Sequence, residues 1–128
     1  MAEVRWSVSG FHLRHIAGSV DRLTTYLVGE QLSEEQLHTL RQEEKGGPDA
    51  DTLLRLIDGS LRASEDKLRR LDARSLYDAR SVGRRALPTT VIGLIVHLAE
   101  HTQRHLGQAI TTAKILRQMS RCRISRDC

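Results

Sequence analysis

The sequence predicts an all-α protein, an up-and-down helical bundle of three long helices plus one short connecting helix. Three observations carry this. Leu, Ala, Arg, Glu and Gln far outnumber Val, Ile and aromatic residues, and aromatics make up only 3% of the chain. That balance favours helix over strand. Apolar residues recur at steps of three to five over three long windows, the spacing of one helical face. No stretch reads convincingly as a strand.

The first helix falls within residues 6–28, where Phe11, Ile16, Val20, Leu23 and Leu27 form one stripe. Its start is expected near Ser7 or Ser9, and Gly29 is a suitable stop. Ser33 and Gln36 have capping-box spacing and predict a short helix from about 34 to 45, which the run "GGPD" breaks. Leu54, Ile57, Leu61, Leu68 and Leu71 keep a three-four rhythm behind Asp49 or Asp51, predicting a second long helix over 51–72. Residues 73–87 are mixed in pattern and are expected to form a loop with at most a turn of helix. Pro88, Thr89 and Thr90 mark the start of the last long helix, from about 88 to 117. The expected organisation is one helical domain over residues 1–118, followed by a basic, flexible tail over 119–128.

At 128 residues the chain is long enough for one domain and one core. Apolar residues make up 39% and charged ones 28%, as in soluble globular proteins. The net charge of +4 is mostly interleaved with acids, which describes a solvated face and not a nucleic-acid footprint. No nucleic-acid partner is expected. The longest apolar run, "VIGLIV", is far too short to span a bilayer, and the N-terminus lacks the apolar stretch of a signal peptide. A cytoplasmic location with no membrane association is expected. Cys122 and Cys128 both lie in the tail, and no Cys–His cluster suggests a zinc knuckle.

The chemistry concentrates in "HLAEHTQRHLGQ", which spaces His97, His101 and His105 four residues apart. A four-residue step returns to nearly the same helix face and rises ~6 Å. Leu94, Leu98, Ala109 and Leu116 mark the inward stripe of this helix. His101 and His105 lie at or inside its margin, whereas His97 lies toward the polar side. Two histidines at i and i+4 suit a single metal ion, because their ring nitrogens converge above one turn. The competing reading has them bonded to backbone or neighbours at the edge of a core. No HExxH is present, and Glu100 lies about 100° round the helix from His101. No GxSxG, phosphate loop or inward carboxylate pair offers another chemistry. A third ligand must come from elsewhere. His38 reads as a surface residue, while His12 and His15 both lie near the apolar stripe of the first helix. Periodicity does not choose between these two.

"RWSVSGFHLRHIAGSVDRL", followed some 80 residues on by "VGRRALPTTVIGLIVHLAEHTQRHLGQ", resembles the DinB-like superfamily over residues 5–112. The shared features are a tryptophan-led helix carrying one ligand histidine, then a helix reading histidine, three residues, histidine and glycine–glutamine. The resemblance implies a helical bundle whose three histidines hold a divalent ion, zinc or nickel first, iron or manganese next. It selects His15, His101 and His105 as metal ligands and gives His12 and His97 no ligand role. It also implies transferase, isomerase or hydrolase chemistry with a low-molecular-weight thiol such as bacillithiol or mycothiol. Arg84 and Arg85, just before the metal-bearing helix, would receive a carboxylate of such a cofactor; the competing reading is a solvated loop pair. In the family a long helix precedes the tryptophan segment, whereas here only five residues precede Trp6. A first bundle helix is therefore expected to be missing, and a homodimer is expected to cover the gap. The alternative function is a non-catalytic helical protein in which the histidines or the metal are structural.

Overall fold

A computed structural model of the chain describes residues 2–45 and 47–124, with side chains for 10–45 and 47–122. The Trp6 side chain, and the end of the expected tail with Cys128, lie outside the described residues. Helix α1 spans Ala2–Leu27. It starts earlier than Ser7 because Ala2, Glu3 and Arg5 are strong helix formers and nothing there breaks the pattern. It ends in a Schellman motif: the Glu30 amide donates to the Thr25 carbonyl and the Gly29 amide to the Tyr26 carbonyl, each at 3.0 Å. Gly29 sits at φ +85°, where a side chain would be strained.

Helix α2 (Glu34–Gln42) opens with the predicted capping box, Gln36 N to Ser33 Oγ at 3.1 Å and Ser33 N to Gln36 Oε1 at 2.9 Å. The same Gln36 amide group donates to Asp21 Oδ2 and Thr25 Oγ1, which staples α2 onto α1. Helix α3 (Ala50–Arg69) is capped by Asp49, whose carboxylate accepts from the Thr52 amide at 2.8 Å. Of the two candidate caps, the structure selects Asp49.

The segment expected to be a loop holds a 3-10 turn (Ala73–Ser75) and then an antiparallel hairpin, β1 (Ala79–Val82) with β2 (Leu87–Thr90). Its register pairs Ala79 with Thr90 and Val82 with Leu87. Residues 88–90 therefore belong to a strand, and helix α4 (Val91–Ile124) starts later than expected. The reason lies in what receives its first amides. Val91 N donates to the Asp78 carbonyl, Ile92 N to the Leu76 carbonyl and Gly93 N to Thr90 Oγ1. Thr90, not Pro88, is the residue that caps this helix. At its other end α4 continues past 117 to Ile124, since no glycine or proline follows Gly107.

Helix α1 lies at the centre, packed by α3 on one side and by α4 on the other. Thr24 bonds Ser64 at 2.7 Å, and Leu68 and Leu71 pack with Leu27 where α1 ends. The connection through α2 thus returns the chain, and α3 runs parallel to α1 instead of alternating with it. Helix α4 runs antiparallel to α1, with Val91 and Leu94 against Leu23 and Leu27. This apolar cluster occupies one end of the α1–α4 pair, where α1 ends and α4 begins. Among the described residues no helix is long and apolar enough to cross a membrane.

Candidate metal centre

The antiparallel α1–α4 pair brings histidines from both helices to the end opposite the apolar cluster. His15 comes from α1, and His101 and His105 come from adjacent turns of α4. One ring nitrogen from each lies within 4.8 Å of the other two. His15 Nε2 is 2.9 Å from His101 Nε2, and the His15 and His105 rings are 4.3 Å apart between centroids. Two nitrogens on one tetrahedral zinc at about 2.0–2.1 Å would stand about 3.3 Å apart. The donor set therefore fits a single ion with small side-chain rotations.

The other histidines stand around this group. His12 lies beside His105, Nδ1 to Nδ1 at 3.2 Å, and outside the three-histidine group. His97 is exposed, with its ring 5.5 Å from that of His101; Glu100 is exposed, and His38 is exposed as expected. Phe11 stacks on the His15 ring at 5.5 Å and 12°, fixing its plane from one side.

Two residues that sequence reasoning missed complete the centre. Glu43, at the end of α2, is only 3% exposed and accepts a hydrogen bond from His15 Nδ1 at 2.6 Å through Oε2. Its Oε1 accepts from Arg22 Nη1 at 2.7 Å. An ionised carboxylate only accepts, so His15 Nδ1 carries a proton and Nε2 is the nitrogen left to face the other imidazoles. In sequence, Glu43 looks like any acid in "RQEEK". Arg22 carried one legible signal: it lies two helical turns after His15, on the same face.

The surroundings of His101 and His105 favour their neutral form. Burial, then the charges of His105, His15, His97 and Arg104, lowers the pKa of His101 to about 4. Burial and the neighbouring His15, His12 and Arg104 also lower that of His105, against a smaller opposing effect of Glu43. For Glu43, burial pushes the carboxyl up. The hydrogen bonds from His15 and Arg22 and the Arg22 charge outweigh it and hold the group below its ordinary value.

A cavity of about 300 Å³ opens beside the histidines, lined by Leu23, Leu37, Val82 and Arg84 together with His15 and His101. Arg84 thus stands at the same cavity as two of the predicted ligands. Arg85 is exposed in the hairpin turn and is not among the lining residues.

The family model of the DinB superfamily matches residues 2–109. The chain belongs to the DinB superfamily. The DinB match includes α1, α2, α3, the hairpin and the part of α4 that carries His101 and His105. No curated protein and no solved structure matches the chain.

Proposed function

We propose that this DinB-superfamily protein binds one divalent metal ion through His15, His101 and His105, zinc or nickel ahead of iron or manganese. On this reading the open coordination position serves thiol-dependent transfer or hydrolysis of a small molecule. The observation that carries the proposal is the convergence of three ring nitrogens within 4.8 Å from two helices. The pKa shifts of His101 and His105 favour the neutral ligand form.

A divalent ion held by neutral imidazoles keeps its positive charge and acidifies a bound thiol or water. The protein's own residues do the rest. His15 is oriented by Glu43, the apolar wall of Leu23, Leu37 and Val82 limits water beside the histidines, and Arg84 offers a guanidinium to a carboxylate on the bound thiol. Arg85 is assigned a weaker part in the same recognition, at the outside of the turn.

Metal analysis of protein purified without a nickel column tests the reading. We expect about one divalent ion per chain, lost in His101→Ala and in His105→Ala. A wild-type protein free of metal after supplementation would overturn it. A second reading has the ion only pinning α1 to α4, and the site's position supports it: the histidines join the two helices at the end that the apolar cluster does not reach. Removing the metal lowers the melting temperature under both readings. Turnover of a thiol or ester substrate, abolished with the metal, separates them.

A further inference from the structure

We propose that Glu43, held in place by Arg22, is the positioning residue that makes His15 a ligand, an inference that rests on the metal reading above. Helix α2 buries none of its own residues, yet its C-cap carboxylate is driven into the interior at 3% exposure. An ion pair buried in this way does not outperform a well-packed apolar pair in stability, because both charges lose their water. Its presence calls for a purpose beyond holding α2 to α1.

The geometry supplies one. Each carboxylate oxygen has one partner, His15 on one side and Arg22 on the other, so the group can neither rotate nor tilt without losing a bond. The bond to His15 fixes both the tautomer and the rotation of the ring, and aims Nε2 at the point that His101 also faces. A carboxylate behind a ligating imidazole also raises its basicity toward a metal.

The surroundings are arranged to keep the carboxylate there. His15, Gly18 and Arg22 lie along one face of α1. A Cβ on Gly18 would stand 2.5 Å from Glu43 Oε1 and 2.6 Å from Arg22 Nη1, so the bare backbone makes room for the pair. Helix α2 is tethered at both ends. Gln36 bonds Asp21 and Thr25 at its start, and Arg14 Nη1 donates to the Lys45 carbonyl at 3.0 Å just past its end. One face of α1 and the docking of a whole connecting helix thus converge on a single hydrogen bond to His15.

The test is a zinc titration of the full chain against a competing chromophoric chelator, with folding followed by circular dichroism. Glu43→Gln keeps the size of the side chain and removes its charge, and zinc binding is expected to weaken 10- to 100-fold while the helical spectrum is retained. Where Glu43→Gln fails to fold, the double variant Arg22→Met, Glu43→Leu replaces the pair with apolar side chains of similar size; the same loss of affinity is expected. In the metal-free wild type, long-range proton–nitrogen spectra are expected to place the His15 proton on Nδ1, and in the variants to show a mixture of tautomers. Unchanged zinc affinity in a folded variant, or a His15 tautomer that the variants do not alter, would overturn the proposal. His101→Ala separates the two readings. A wild type that fails to bind zinc defeats the metal centre itself, whereas zinc lost in His101→Ala but kept at full affinity in Glu43→Gln defeats only the role of Glu43.

Discussion

His101 is the residue on which pH acts most strongly. Burial, and then the electrostatics of the neighbouring His105, His15, His97 and Arg104, lower its pKa to about 4, while an unfolded histidine titrates near 6.5. Between these values the unfolded chain binds a proton that the folded one refuses. Stability contributed by the neutral ring is therefore complete above pH 6.5 and is lost as pH falls toward 4. In metal-free protein, an NMR titration should find the His101 ring neutral at pH 6 and half-protonated near pH 4, with the melting temperature falling over the same window. A midpoint near 6.5 would contradict the burial argument. How far such a residue was legible in sequence depends on what surrounds it. The inward lean of His101 and His105 followed from their spacing to Leu94, Leu98 and Ala109. The tie between His12 and His15 did not yield to periodicity, because both lie near the same stripe, and only the resemblance chose His15. Glu43 was invisible for a different reason: its burial is decided by how α2 docks, which no local pattern encodes.

At the scale of elements, the ends that carry their own chemistry were legible and the ends made by tertiary contacts were not. Gly29 stops α1, Ser33 and Gln36 start α2, and Asp49 starts α3, each through bonds between near neighbours in sequence. The hairpin is the opposite case. Its strands are four residues each and include Pro88, which tolerates a strand only at an unpaired edge. Its worth lies in what it touches. Arg80 Nε donates to the Leu27 carbonyl at 2.8 Å, covering the exposed end of α1, and Val82 packs on the apolar cluster. The same hairpin delivers Thr90 to cap α4, so the helix that bears two of the three histidines starts from a strand. Removing that cap with Thr90→Ala should cost about 0.5–2 kcal/mol, read as a shift in urea midpoint with an unchanged slope. Because the loss falls at the start of α4, about three turns from His101 and four from His105, zinc affinity in the folded protein should stay as in the wild type. A loss of affinity equal to that of a histidine variant would mean that the start of α4 and the metal centre move together.

At the scale of the molecule, α4 carries two apolar faces, and among the described residues one of them packs against α1. Val91, Leu94, Leu98 and Ala109 lie with His101 and His105 on the face against α1. Ile92, Val96, Leu106 and Ile110 recur on another face with the same helical rhythm, and each remains between 36% and 49% exposed. Scattered exposed leucines need no explanation, but an aligned apolar stripe along a helix marks a contact surface. We propose that a second copy of the chain covers it, stripe on stripe about a two-fold axis, since a two-fold pairs a patch with itself and so needs no second complementary surface. Gln103 falls within the stripe near its middle, where a two-fold would set it opposite its own copy and let the two amides bond each other. Sedimentation across a range of concentrations should therefore find a dimer, and Ile110→Glu should shift it to monomer by burying like charges at the contact. Because this face points away from the histidines, the monomeric variant should bind zinc with wild-type stoichiometry. A wild-type chain that stays a stable monomer at high concentration would defeat the pairing and leave the stripe to a different partner, while metal lost together with the dimer would mean that the centre depends on the second copy.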